Sequence, residues 1–386
     1  MKTWITLCLA ALLSACASTT VTAPPSSDKI FSDGLFAPPS VRINADDVFA
    51  LSPEMRQYLE NDIARAARTR GKNDALVEAL YNRQKLQLEY ESAMTRNAAQ
   101  AFASRSGNCL SLVIMTAAFA REMGINVEYH SVFTEEVWSR KGNINFLSGH
   151  VNLGLRKSPL ESHFDALGDP TLIIDFLPPD EAKKYRRSDI SESTIVSMYM
   201  NNRAAESLAY GNVNDAYWWA REAVKQAPTF MSAYNTLGVV YQAHGNLAEA
   251  GKVFGMVLAR EPENVAALAN QSKLLVQTGH PEEARVLSAR LSKIEAYPPF
   301  YFFDRGMDAM RSGNFKGAKE FFSKEISRAA YYHEFQFWLG IADMRLGDMA
   351  EAREHLAIAL ENGPTAADRN LYSAKLEQMK MAKVVR

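Results

Sequence analysis

Five alanines recur at one interval along the second half of this chain. Ala216, Ala250, Ala284, Ala318 and Ala352 stand 34 residues apart, and other positions keep the same phase. Leu237-Gly238 and Leu339-Gly340 lie three periods apart, with Gly306 in phase between them. Phe254 follows Ala250 by four residues, Phe322 follows Ala318 by four, and Pro228, Pro262 and Pro364 punctuate the units. A period of this length marks one supersecondary unit that must stack on its neighbours to bury its apolar face. Small residues let paired helices approach closely, and aromatics fill the space between them. His244-Gly245-Asn246 and Ser312-Gly313-Asn314 turn the chain within a unit.

With these residue types the period resembles the tetratricopeptide repeat, a helix-turn-helix unit. The resemblance implies an all-α solenoid of five repeats over residues 197–364 and a C-terminal capping helix within 365–386. Leu371, Leu376 and Met379 are its expected buried face. It further implies a protein or peptide partner. Bracing of the preceding domain, or self-association, is the competing role. Tyr217-Trp218-Trp219 and the aromatic run 297–303 read as core at helical spacing rather than as a ligand platform.

The other end of the chain sets an address. Lys2, the apolar run Trp4–Leu13 and the small residues before Cys16 form a short cleaved signal. Leu13-Ser14-Ala15-Cys16 resembles a bacterial lipoprotein cleavage box. That implies a signal peptide at 1–15, acylation of Cys16, and a lipidated N-terminus with a flexible tether over 16–41. The expected location is the cell envelope, lipid-anchored to the bilayer. Ala17 after the lipidated cysteine points to the periplasmic face of the outer membrane. With 43 basic and 44 acidic side chains and no Lys/Arg run, no nucleic-acid partner is expected. The histidines are scattered, and neither a His-Glu-x-x-His site nor a phosphate-cradling glycine loop occurs. Neither metal nor cofactor is therefore expected.

Chemistry is expected between residues 42 and 190. Once Cys8 leaves with the signal and Cys16 carries lipid, Cys109 is the one thiol left. Residues 53–105 read as helical. Gly107 and Asn108 then supply a turn and an N-cap, and the apolar run from Cys109 to Met123 reads as a buried helix ended by Gly124. Cys109 thus falls in a first turn, where free amides and the helix dipole favour a thiolate and could stabilise an oxyanion. A nucleophile also needs a base and an orienter. Gly149–Leu155 alternates, with Val151, Leu153 and Leu155 on one face and His150 and Asn152 on the other. Asp175 sits inside the apolar run Leu172–Phe176, where a carboxylate needs a partner. His163 competes for the base and Asp169 and Asp180 for the acid, but all three sit in Pro- or Gly-bracketed stretches that read as loops. His130 reads as structural.

Helix-opening Cys, strand His and strand Asp in this order resemble the transglutaminase-like superfamily, a branch of the papain-like fold. The resemblance runs through Arg105, Gly107-Asn108-Cys109-Leu110-Ser111, Ala120-Arg121, Gly124, Trp138, His150-Val151-Asn152, Asp175-Phe176 and Asn201-Asn202-Arg203. It implies an α+β transglutaminase-like domain over 42–190 with Cys109 as nucleophile, His150 as base and acid, and Asp175 as orienter. The implied chemistry is acyl transfer from an amide or ester to water or an amine through a thioester. Leu110 departs from the pattern, since many active transglutaminases carry Trp there. Two function classes follow: a cysteine-dependent acyl transferase or amidase with repeats that select its partner, and a catalytically silent binding scaffold.

Overall fold

The computed structural model describes residues 29–81, 86, 88–91, 94–141, 144–157, 171–176, 186–295, 297, 299–330, 332–363 and 366–384. The signal segment, Cys16, the first half of the tether, His163, Asp169 and Asp180 lie outside them.

The helical expectation for 53–105 holds only in pieces. Ser52 caps α1 (Pro53–Tyr58), which passes through a π-helical turn into α2 (Ala64–Arg70), and Gly71 at φ 84° leads into α3 (Lys72–Tyr81). Leu86 is buried in the core, and β1 (Glu89–Tyr90) is a short strand. Asn97 and Gln100 form a reciprocal capping box that restarts the helix as α4 (Ala98–Ser104). A short strand, β2 (Ser106–Gly107), pairs parallel with β1 and delivers the chain to α5 (Cys109–Glu122). From Leu110 to Ala120 every residue of α5 is buried, as its largely apolar sequence requires, with Ser111 and Thr116 hydrogen-bonded. Gly124, at φ 67°, ends it in the left-handed conformation that glycine adopts without strain.

Against α5 lies an antiparallel sheet of β3 (Val127–Lys141), β4 (Ile144–Arg156), β5 (Thr171–Ile174) and β6 (Arg187–Ile190), in the order β5-β4-β3-β6. His130 pairs with Asn152 and Val132 with His150 across β3 and β4. Val151, Leu153 and Leu155 join the core. Asp175 lies one residue beyond β5 rather than within a strand.

The remaining chain is a series of helices, α6 (Glu192–Ala209), α7 (Val213–Gln226), α8 (Met231–His244), α9 (Leu247–Arg260), α10 (Val265–Gln277), α11 (Pro281–Ile294), α12 (Tyr301–Arg311), α13 (Phe315–Ile326), α14 (His333–Leu346), α15 (Met349–Glu361) and α16 (Ala366–Val384). All five periodic alanines are buried in the second helix of their pair. The in-phase glycines admit a neighbour: a Cβ at Gly238 would stand 2.5 Å from the Phe254 ring and one at Gly306 2.4 Å from Phe322. In α16 the buried face differs from expectation. Leu371 is exposed and Tyr372 is buried in its place, its hydroxyl 2.7 Å from His333 Nδ1.

Two packing features bear on function. First, one hydrophobic core runs from α1–α5 and the sheet through α6 to α10 without interruption. A second core begins at Phe300 and a third lies under α16. Second, residues 30–40 lie as a strap along α7 and α8. Phe36 stacks on Tyr217 at 3.9 Å, and Tyr241 donates to the Ile30 carbonyl at 2.7 Å. Trp218 donates to the Ala37 carbonyl, and Asp215 accepts from both the amide and the hydroxyl of Ser40.

Candidate active site

Cys109 opens α5 and is half-buried. Its position follows from a stack of polar contacts beneath the preceding turn. Asn108 caps the helix, accepting from the Ser111 amide at 2.9 Å and donating to Thr95 Oγ1 at 2.9 Å. Thr95, almost wholly buried, donates its amide to Glu206 Oε1 at 2.7 Å and accepts from Asn202 Nδ2 at 3.2 Å. The cap of the cysteine helix is therefore anchored on α6. Gly107 is required by close approach, since a Cβ there would lie 2.7 Å from Ser111 Cβ. The amides of Cys109 and Leu110 have no partner within the helix, as first-turn amides do not.

The expected base and orienter come together. His150 Nε2 lies 2.6 Å from Asp175 Oδ1, with both side chains buried. The Cys109 thiol lies close enough to the same imidazole to favour its charged form. Asp175 is placed by its neighbours: Ile174 pairs with Leu153, and Phe176 packs on Tyr81, whose hydroxyl bonds Thr116 of α5 at 2.6 Å.

Burial is the largest influence on the His150 imidazole and opposes its charge. The hydrogen bond to Asp175 and the closeness of Cys109, with the negative charge of both, outweigh it and raise the imidazole from 6.5 to about 9. His150 is therefore held protonated at neutral pH. Its contribution to stability is complete below about 6.5 and is lost as pH rises through about 9.

Sequence reasoning sets Asn152 on the His150 face without a role and reads His130 as structural, and the structure joins both to Asp175. Asn152 Nδ2 donates to Asp175 Oδ2 at 2.6 Å, and Asn152 Oδ1 faces His130 Nδ1 at 3.0 Å. For Asn152 the strand alternation, which sets it on the His150 face, is the available signal. For His130 it lies in the cross-strand register, which a single strand does not reveal. Among the described residues, no group of three or more His, Cys, Asp or Glu side chains offers a metal site.

A tetratricopeptide repeat family model matches residues 303–367. The C-terminal region carries tetratricopeptide repeats. Solved repeat proteins are similar to about half of this chain. A thermophilic tetratricopeptide protein of Thermus thermophilus is 18% identical, over 47% of this chain and 98% of its own, at a TM-score of 0.31. YrrB, a repeat protein with an unusual peptide-binding site, is 19% identical over 47% and 92% at 0.25. PilF of Pseudomonas aeruginosa is 20% identical over 48% and 85% at 0.31. No curated protein matches the chain.

Proposed function

We propose that this chain is a protein-binding repeat protein whose N-terminal α+β region, of the transglutaminase-like kind, carries a cysteine acyl-transfer centre. The observation that carries the reading is the His150–Asp175 bond at 2.6 Å, on an imidazole whose charged form is favoured by Asp175 and by the neighbouring Cys109. In the proposed reaction, Cys109 Sγ attacks a carbonyl carbon and the first-turn amides receive the developing oxyanion. His150 gives its proton to the departing amine or alcohol as the C–N or C–O bond breaks. The thioester is then released by water or an amine, which gives its proton back to His150. Asp175 holds the ring throughout. The repeats supply the affinity for a protein or peptide substrate.

A test is the acetyl-transfer burst from p-nitrophenyl acetate. One equivalent of p-nitrophenol per chain is expected, with an acetyl group on Cys109 found by mass spectrometry and no burst in Cys109→Ala. Because acylation needs charged His150, the burst rate should fall as pH rises through about 9. A burst that survives Cys109→Ala removes the reading.

A second reading is a binding scaffold without chemistry. The repeats favour it, since they account for partner binding with no demand on Cys109. An unacetylated Cys109 under the conditions above would leave that reading standing.

The proposed location is the bacterial envelope, with Cys16 acylated and the tether leading to the strap. Among the described residues, no helix is long and apolar enough to cross a membrane. Cys16→Ser is expected to move the protein from the membrane pellet to the soluble fraction of lysed cells. Retention in the pellet would argue against lipid anchoring.

A further inference from the structure

Behind Asp175 the hydrogen bonds continue in one direction. The carboxylate uses Oδ1 for His150 and Oδ2 for Asn152, at 2.6 Å each. A carboxylate only accepts, so Asn152 must present its NH2 to Asp175. Its carbonyl oxygen is thereby turned to His130 Nδ1 at 3.0 Å, and that nitrogen must donate. His130 Nε2 in turn lies 3.7 Å from Asp189 Oδ1, a carboxylate open to solvent on β6. Asn152 and His130 are both buried and face each other across β3 and β4. Room for the second imidazole is built in: a Cβ at Gly154 would stand 3.3 Å from His130 Cε1 and 2.4 Å from Thr171 Cγ2.

We infer that Asn152 and His130 are positioning residues which fix the rotation of Asp175 so that Oδ1 stays on His150 Nε2. Asp175 follows the last residue of β5, so backbone pairing does not extend to it. A carboxylate at a strand end can turn about its side-chain bonds, and a second, oriented donor on Oδ2 removes that freedom. The amide of Asn152 would be equally free to flip, and the Nδ1–H of His130 prevents it. Orientation therefore passes from the sheet to the imidazole by an unbroken series of single-donor bonds. The inference rests on the acyl-transfer reading for its purpose, while its geometry can be measured on the histidines themselves.

The test uses the full mature chain labelled with 15N-histidine. In the unaltered protein, His130 is expected to carry its proton on Nδ1; a neutral ring protonated at Nε2 alone would overturn the inference without any variant. In His130→Leu and Asn152→Leu, the titration of His150 is expected to fall from about 9 by about one pH unit as Asp175 turns away. His130→Asn, whose amide can donate in place of Nδ1–H, should restore it. A purely electrostatic role predicts the opposite sign, because removing a donor from Asp175 strengthens its negative charge. An unchanged or raised His150 titration in folded Leu variants therefore overturns the inference. Should the Leu variants fail to fold, the tautomer and the His130→Asn titration decide. An unreactive Cys109 would defeat the acyl-transfer reading and leave these titrations interpretable.

Discussion

Iodoacetamide at pH 6 is expected to label Cys109 about 100-fold faster in the folded chain than in His150→Ala. A free thiol with a pKa near 8.5 is less than about 1% ionised at that pH, so an isolated cysteine reacts slowly. In this protein the imidazole beside the sulfur is held charged well above pH 6 by Asp175 and by the thiol group itself. Removing it removes the positive charge. Asp175→Ala should give a smaller loss, about 10-fold, since the ring stays but loses its orientation. Equal rates in the native chain and His150→Ala, or labelling only after unfolding, would end the case for an activated nucleophile. Rate constants measured on freshly refolded and never-unfolded samples would guard against oxidation of the thiol.

The second large effect concerns the boundary between domain and repeats. A chain that ends after Ile190 is expected to lose its cooperative thermal transition. The sequence alone suggests a separable catalytic domain, because the alanine period starts at Ala216. In the structure, α6 instead belongs to the same core as α5, through Ile195, Val196, Tyr199, Met200 and Leu208. At about 1.5–3 kcal/mol for each buried side chain, they contribute roughly 8–15 kcal/mol. That equals the whole stability of a typical domain. The same cut removes Glu206 and Asn202 from Thr95, and with them the support of the Cys109 cap. Extending the fragment to Arg260, which also restores the seat of the strap, should recover a sharp transition by circular dichroism. A fragment ending at Ile190 that melts cooperatively within about 5 °C of the full chain would show that the repeats do not brace the site.

The legible parts of this molecule are those governed by local periodicity. The alanine and glycine phase is a packing requirement written every 34 residues, so the helix pairs can be placed from the chain alone. The Asn108 cap and the Gly124 stop are local as well, and both stand where expected. His150 can be named because strand alternation sets it apart from the apolar face, and Asp175 because it interrupts an apolar run and so needs a partner. The pairing itself depends on β4 lying beside β5, which no short window contains. Leu371 misleads because a helical stripe has two flanks, and the neighbouring helix α14 selects Tyr372 through His333. The strap reads as tether because it falls within the Ser-, Thr-, Ala- and Pro-rich stretch that follows Cys16. Phe36 and Ile30 find their burial only against aromatics far along the chain.

That separation has a consequence for how the molecule is made. Ile30 and the hydroxyl of Tyr241 are 211 residues apart in sequence. At the usual pace of bacterial synthesis, about 5–20 residues per second, roughly 10–40 s pass between the emergence of one and the other. Throughout that interval the partner of Ile30 on α8 has not yet been made. A chaperone that holds extended apolar segments would meet its natural client here, before any helix of the second pair exists. Closure of the strap is then a late event in the life of the nascent chain, and a record that α8 has arrived.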